Sequence, residues 1–350
     1  MTLAILFGGS SYEHEISIVS AVTLKKVFKK ITPLFIFVDA ERDFYLIEAD
    51  RMKSKTFASG AYKKSPKLLL EKGGFFTVGG GLLGGKKRAV SFDVLLNLIH
   101  GRDGEDGKIA GLMEFFGVSF IGPRLEASVL SYSKFDTKLL AQGLGIATLE
   151  YRLLVRGGER RVDLDYPLIV KPVHLGSSIG VSVVRSDAEL EYALDVAFEF
   201  DEQVIVEPFV EGIAEYNLAG CKTSLWELSL VEEPQKEEFL DFDKKYMDFS
   251  RDSRVREAAI DAALREKLEA AFRRIYDPLF LGSLIRCDFF VHKGEVYLNE
   301  INPIPGSMAH YLFDDFEAIL ERLAQHLPSE RKIPIDYRYI DSIQQAKGKA

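Results

Sequence analysis

Ile285-Arg286-Cys287-Asp288-Phe289-Phe290-Val291 and Val296-Tyr297-Leu298-Asn299-Glu300-Ile301-Asn302, joined by His292-Lys293-Gly294-Glu295, read as two strands and a turn. Side chains alternate along a strand, so Arg286 shares a face with Asp288, and Glu300 shares one with Asn302. The turn decides whether those faces coincide. A three-residue loop ending in Gly294, a type I turn with a glycine bulge, sets Asp288 opposite Leu298 and Arg286 opposite Glu300, on one face. A two-residue turn sets the pairs on opposite faces. In the first arrangement Asp288, Glu300 and Asn302 form a cluster of hard oxygens suited to magnesium, beside the fixed cation of Arg286. Such a cluster handles phosphate.

Outward from this hairpin, the 350-residue chain is long for one ordinary core, and its length predicts two or three domains. Charged residues at 28% and hydrophobic ones at 47% describe a soluble globular protein, and a net charge of -8 argues against nucleic acid as a partner. Cys221 and Cys287 are too few for a disulfide framework and suit a reducing cytosol. Residues 1–7 lack a basic leader and the length of a signal peptide's apolar segment. No run of 18 apolar residues is present to span a membrane. The expectation is a cytosolic enzyme or binding protein.

The opening predicts a strand over 3–7, a turn through Gly8-Gly9-Ser10-Ser11, and an amphipathic helix over 13–29 whose start carries the capping-box spacing of Ser10 and Glu13. Strands over 34–38, 94–99 and 118–121, with a helix over 107–116, continue an alternation that implies a parallel sheet. The glycine-dense stretch 73–85 reads as hairpins or a mobile insertion, not a phosphate loop. From residue 125 the texture changes, with helices over 133–142 and 187–200 and strands over 168–171, 180–184 and 203–207. The polar segment 232–254 has no sustained period, and a loop that long is usually functional or disordered. A helix over 255–276 turns Ile260, Leu264, Leu268, Phe272 and Ile275 to a core, and a last helix covers 315–327.

Four further segments carry chemistry. Leu168-Ile169-Val170-Lys171-Pro172-Val173-His174-Leu175-Gly176-Ser177-Ser178-Ile179-Gly180 ends a buried strand on a lysine and runs into a small-residue loop. Loop amides can wrap phosphate oxygens while the lysine supplies charge. A lysine placed before the glycines separates it from a Walker A motif; the plain alternative is a strand and a flexible turn. Glu207, in Val204-Ile205-Val206-Glu207-Pro208-Phe209-Val210, either reads an adenine edge or simply ends a strand. His100-Gly101-Arg102-Asp103-Gly104-Glu105-Asp106-Gly107 closes a strand at the carboxyl end where open α/β sheets bind ligands. It serves equally as a helix-capping turn with His100 a structural histidine. Glu13 is explained by the capping box, yet it too stands at a strand–helix turn. Asp243-Lys244-Lys245-Tyr246-Met247-Asp248 is a solvated charge run, or part of a lid.

Taken in register, these segments resemble the ATP-grasp superfamily and, within it, the D-alanine–D-alanine ligase family. The match runs through Phe7-Gly8-Gly9-Ser10-Ser11-Tyr12-Glu13-His14-Glu15-Ile16-Ser17, His100-Gly101 with Gly104-Glu105-Asp106-Gly107, and Lys171-Pro172 with Gly176-Ser177-Ser178-Ile179-Gly180. It continues through Lys245-Tyr246, Arg286-x-Asp288, Glu300-x-Asn302 and Pro305-Gly306. The resemblance implies an α/β and α+β fold in a three-domain ATP-grasp architecture. Residues 1–123 would form an amino-terminal substrate-binding domain with a parallel sheet, 124–212 a central lid domain, and 213–350 a catalytic domain, with ATP between the last two. The implied reaction joins two D-alanines at the expense of ATP, through a D-alanyl phosphate, for peptidoglycan synthesis.

Residue by residue, the resemblance implies that Asp288, Glu300 and Asn302 hold two magnesium or manganese ions. Lys134 and Lys171 neutralise phosphates, Ser177 and Ser178 lie in the lid, Glu207 and Phe209 bind adenine, and Glu215 binds ribose. Glu13 receives the first D-alanine's ammonium and links to Ser177 and Tyr246, with His100 beside it. Arg286 and the Gly306 amide stabilise the tetrahedral oxyanion, while Lys245 and the region after Gly306 hold the second D-alanine's carboxylate. The chain departs from the family in carrying Pro303-Ile304-Pro305-Gly306 for Thr-x-Pro-Gly, and Tyr311 for a common serine that binds that carboxylate. A cytoplasmic homodimer acting on small molecules is implied. The nearest alternatives are a D-alanine–D-lactate ligase, against which Tyr246 speaks, or another ATP-grasp carboxylate–amine ligase. A non-catalytic nucleotide-sensing module is the alternative of another class, and the intact Arg286, Asp288, Glu300 and Asn302 argue against it.

Overall fold

The computed structural model describes residues 1–78, 86–234 and 257–347. Lys245, Tyr246, the greater part of the polar segment 232–254, and 79–85 of the glycine-dense stretch lie outside them.

Leu3–Gly8 is buried at all six positions, the continuous apolar run of a strand covered on both faces. It lies in an eight-stranded sheet ordered Lys87–Ala89, Gly74–Val78, Lys67–Glu71, Phe44–Ile47, Leu34–Val38, Leu3–Gly8, Val94–Asn97, Phe120–Ile121. The last four strands run parallel, as the alternation predicts. The described part of the glycine-dense stretch holds one strand, Gly74–Val78, paired antiparallel with Lys67–Glu71 on one side and with the edge strand Lys87–Ala89 on the other. Because Leu3–Gly8 sits between Leu34–Val38 and Val94–Asn97, its carboxyl end is a topological switch point, the place where such sheets bind ligands. The turns over 9–13 and 98–107 meet there, tied by the Ser10 N–H donating to Asp103 Oδ2 at 2.9 Å.

The helix that follows spans His14–Val27, and here the expected capping box is not formed. Glu13 occupies the N-cap position without a side-chain cap bond. Ser11 Oγ accepts the Glu13 N–H at 3.0 Å, which leaves the Glu13 carboxylate to turn elsewhere.

A second, antiparallel sheet is ordered Ser182–Val184, Leu168–Pro172, Gln203–Pro208, Arg152–Val155. Helix Asp187–Phe200 buries Leu190, Ala193, Leu194, Ala197 and Phe198 against it. The third sheet, also antiparallel, is ordered Trp226–Glu232, Ala214–Lys222, Ile285–His292, Glu295–Asn302. Its helix, Ala262–Leu279, begins later than the periodicity predicts because Asp261 caps it, accepting the Leu264 N–H at 2.7 Å. Leu268, Phe272, Ile275 and Tyr276 of this helix share a core with Cys287, Phe289, Leu298 and Ile301. Alternation therefore leaves Arg286 and Asp288 on the opposite face.

The hairpin reaches its expected arrangement by a different route. His292 pairs with Glu295 across a two-residue turn, Lys293-Gly294, both residues at positive φ (51° and 79°) as a type I′ turn requires. Alone, that turn would set the two polar pairs on opposite faces. Asn299 is an extra, bulged residue between the Phe289–Leu298 and Asp288–Glu300 pairings, and it flips the alternation back. Asp288 consequently lies opposite Glu300 and Arg286 opposite Asn302, each two residues from the expected partner, and all four share one face.

Candidate active site

At the switch point Glu13 is only 7% exposed, and its carboxylate accepts a hydrogen bond from the Ser177 hydroxyl of the lysine-first loop. A Cβ added at Gly101 would lie 2.5 Å from Glu13 Oε2, and one at Gly176 2.9 Å from Oε1. The two glycines thus form a slot just wide enough for the carboxylate. Burial, and after it the charge of Glu105, push the Glu13 pKa up to about 7, against the opposing pull of Ser177, His100 and Lys134. Burial likewise pushes Glu105 up to about 8. His100 is buried, which holds its pKa down near 4 and keeps the ring neutral. Its Nε2 meets Ser20 Oγ at 3.1 Å, and its Nδ1 lies 3.7 Å from Glu105 Oε1. Two carboxyl groups reluctant to ionise make a pocket that an ammonium would relieve. No sequence pattern assigns a role to Ser20 or to Glu105, although Glu105 lies inside the turn over 100–107.

In the second sheet Lys171 and Glu207 meet diagonally across paired strands, Lys171 Nζ donating to Glu207 Oε2 at 2.6 Å. The other oxygen pairs with Lys138 Nζ at 2.5 Å, with both side chains almost fully buried. Burial alone would raise the Glu207 pKa, but Lys171 and Lys138 outweigh it and hold it near 2. Burial also opposes the charge on Lys171, and Glu207, with Glu300 and Glu215, more than restores it. For Lys138 burial prevails over Glu207 and lowers the pKa. Lys134 opens helix Lys134–Gly143, capped by Ser133, and its Nζ donates to the Leu175 carbonyl at 2.5 Å. Lys138 follows Lys134 by four residues and so shares its helix face, a spacing that could have revealed it in the sequence. Glu207 is thus a counter-ion to two lysines, and the Phe209 N–H donates to the Pro167 carbonyl at 2.8 Å. Glu215 stands on the third sheet opposite Phe290.

On the hairpin, Arg286 Nε and Nη2 donate to Asp288 Oδ1 and Oδ2 at 2.7 and 2.8 Å, and Asn302 Nδ2 donates to Oδ2 at 3.0 Å. Burial works against the Arg286 charge, and Asp288 overrides it, holding the guanidinium pKa well above its ordinary value. Glu232, Asn217, Asp288 and Glu300 form a row across the four strands. Asn217 Nδ2 donates to Glu232 Oε2 at 3.0 Å, while its Oδ1 is buried without a hydrogen-bond partner among the described residues. Among the described residues no three carboxylate, imidazole or thiolate groups converge. The oxygens on this face belong to the carboxylates of Glu232, Asp288 and Glu300 and to the amides of Asn217 and Asn302, hard ligands of the type that suits a divalent cation such as magnesium.

Past Pro305, residues Gly306–Leu312 form a tight turn with Ser307, Met308 and Ala309 at left-handed φ of 47°, 56° and 48°. The Ser307 N–H donates to Ser20 Oγ at 3.2 Å, so this turn is wired through Ser20 to His100 and the Glu13 pocket. Tyr311 as a whole is 39% exposed, with its hydroxyl turned in beside Arg286. Burial raises the pKa of that phenol, and Arg286 pulls it back.

Lys171 joins the two antiparallel sheets electrostatically, since it stands on one and feels Glu300 and Glu215 of the other. A phosphate-type lysine facing a hard-oxygen hairpin across two such sheets is the architecture of the ATP-grasp ligases. Models of the D-ala D-ala ligase N-terminus and the D-ala D-ala ligase C-terminus match residues 2–123 and 140–318. The chain belongs to the D-alanine–D-alanine ligase family. It is 63% identical to the D-alanine–D-alanine ligase of Sulfurovum sp. (strain NBC37-1) over 350 residues, the whole of both chains. The crystal structure of D-alanine–D-alanine ligase from Helicobacter pylori superposes with a TM-score of 0.83 at 49% identity, covering 95% of this chain and 100% of that one. The VanG D-Ala:D-Ser ligase from Enterococcus faecalis matches with a TM-score of 0.74 at 26% identity, covering 93% and 98%.

Proposed function

We propose that this protein joins two D-alanines in an ATP-dependent reaction that supplies a peptidoglycan precursor. The observation that carries the reading is the Glu13–Ser177 bond, which sets an ammonium-accepting carboxylate against the loop that follows the phosphate-type Lys171. Glu13 holds the first D-alanine's ammonium, with His100 in the pocket wall. Lys134 and Lys171 exchange their protein acceptors for ATP phosphates, and Glu207, Phe209 and Glu215 surround the nucleoside. The first carboxylate takes the γ-phosphoryl group, giving an acyl phosphate and ADP. The second D-alanine's amine attacks that carbonyl, and phosphate leaves from a tetrahedral intermediate whose oxyanion is stabilised by Arg286 and the Gly306 amide. Preorganised donors of this kind are each worth about 10²–10³ in rate. Magnesium or manganese ions held by Asp288, Glu300 and Asn302 would neutralise the ATP phosphates. Ser178 closes over them, Tyr246 completes the lock on the lid, and Lys245 and Tyr311 receive the second carboxylate.

On this reading the three functional units are residues 1–123, 124–212 and 213–350, working in the cytosol as a homodimer. The test is phosphate release from ATP with D-alanine alone and with D-alanine plus D-serine or D-lactate, the products identified by mass. D-alanyl-D-alanine should dominate. Preference for the depsipeptide or for the D-serine product would overturn the substrate assignment, and nucleotide binding without D-alanine-dependent turnover would overturn the enzyme.

A further inference from the structure

Ser177 and Ser178 stand consecutively at left-handed φ, 60° and 59°, a conformation that non-glycine residues keep only while surrounding contacts hold them. The Glu13 bond holds the middle of this loop. Its far end is held differently. A Cβ added at Gly180 would lie 2.8 Å from Phe200 Cδ2 and 2.9 Å from Pro172 Cγ, so the loop backbone rests directly on the Phe200 ring. Phe200 ends helix Asp187–Phe200, and the ring of Tyr12 also meets it, edge to face at 5.5 Å between centroids and 79° between planes. Tyr12 immediately precedes Glu13 in the turn at the switch point. It is 63% exposed, so apart from Phe200 much of this large aromatic faces solvent.

We infer that Tyr12 and Phe200 form an aromatic clasp, a positioning pair that keeps the 175–181 loop closed over the Glu13 pocket. One two-residue stretch then grips the loop twice: Glu13 takes its serine, and Tyr12 takes the ring on which its glycine rests. The two grips differ in kind. The hydrogen bond to Ser177 competes with an incoming ammonium for the Glu13 carboxylate, whereas the ring contact survives substrate binding. The clasp keeps the loop from springing open when Glu13 turns to the substrate. An edge-to-face pair shifts a closed–open balance by about two- to twelvefold.

The inference rests on the reading that the first D-alanine binds at Glu13, and the experiment separates the two. Steady-state kinetics of the full chain should give Tyr12→Ala a KM for the first D-alanine and for ATP about two- to tenfold higher, with kcat within about twofold. Tyr12→Phe should restore both. Phe200→Leu should reproduce the defect, and the double variant should be no worse than either single one. Unchanged KM values in Tyr12→Ala, additive effects in the double variant, or a Tyr12→Phe variant as impaired as Tyr12→Ala would each overturn the clasp. A purely structural role predicts a lower thermal midpoint with no KM-against-kcat split. Chymotryptic cleavage after Leu175, which is buried, reads the loop without catalysis: it should be faster in Tyr12→Ala than in Tyr12→Phe or the unaltered chain. Failure of the unaltered protein to make the dipeptide would overturn the ligase reading, and equal cleavage rates would overturn the clasp.

Discussion

Lowering the pH should weaken binding of the first D-alanine far above the range in which an ordinary glutamate protonates. The Glu13 pKa is pushed from 4.5 to about 7, chiefly by burial and then by Glu105. An ammonium binds the carboxylate form, so protonated Glu13 must first give up its proton. Affinity is therefore full above about pH 7 and falls about tenfold for each unit below it. At pH 6 about nine-tenths of unliganded pockets carry the proton, and binding should expel about 0.9 of a proton. The folding sign agrees: ionised Glu13 is a cost of burial that is absent below the unfolded value of 4.5 and complete above about 7. Glu105, raised to about 8, titrates with it as a coupled pair, which broadens the transition without reversing it. Calorimetric titration of D-alanine in the presence of a non-hydrolysable ATP analogue, from pH 5.5 to 8.5 in two buffers of different ionisation enthalpy, reads affinity and proton release together. Glu13→Gln should abolish both the plateau affinity and the release. Flat affinity down to pH 5.5 with no proton expelled would refute the argument.

Asp288→Asn should cut turnover by about two orders of magnitude or more and lower the thermal midpoint without unfolding the protein, because the amide oxygen still accepts from Arg286 Nε while the amide nitrogen faces the donors Arg286 Nη2 and Asn302 Nδ2; near-normal rates at limiting magnesium would contradict it. Gly101→Ala places a methyl 2.5 Å from Glu13 Oε2 at a backbone φ of +68°. It should weaken D-alanine binding about a hundredfold and leave binding of an ATP analogue unchanged, as measured by calorimetry. Lys138→Met removes one of two lysines from buried Glu207, so urea unfolding should record a loss of about 2–3 kcal/mol, less than for a carboxylate left wholly unpaired, together with a higher KM for ATP.

Much of the fold was legible because the chain's apolar periods agree with their final surroundings. The continuous run at 3–7 became a strand covered on both faces, and the helical period ending at Ile275 became a helix packed on the third sheet. Capping bonds moved the boundaries, as Asp261 did for Ala262–Leu279, because one side-chain acceptor decides where a helix starts. Segments whose side chains carry phosphate or carboxylate chemistry were legible too, since lysine, arginine and carboxylates at strand ends are costly to bury without purpose. The partners that set their charge states were not. Lys138 and Glu105 act through contacts distant in sequence, Lys138 on Glu207 and Glu105 on Glu13; the spacing from Lys134 marks Lys138 as a candidate, but no local pattern names the partner of either. Glu13 shows the same limit: its spacing from Ser10 fits a capping box, and no local pattern shows that Ser177, 164 residues away, bonds the carboxylate, a link that only the family resemblance implied.

The hairpin states the physical limit most sharply. Because side chains alternate with a period of two, a one-residue slip sends every polar group to the other face. Local turn preference and site chemistry here make opposite demands. Lys293-Gly294 suits the type I′ turn that matches strand twist, yet that turn alone would bury Glu300 and Asn302 against the helix carrying Phe272 and Ile275. Asn299 resolves the conflict by leaving the ladder as a bulge, so each half of the hairpin keeps its own alternation: Leu298 and Phe289 enter the core, and Glu300 joins Asp288 on the open face. No residue type compels a bulge at that position. What selects it is the combined cost of two buried polar groups, Glu300 and Asn302, on one side and an exposed Ile301 on the other, a quantity defined only once the sheet has a helix on one face. The oxygen cluster is thus a product of tertiary packing as much as of its own sequence.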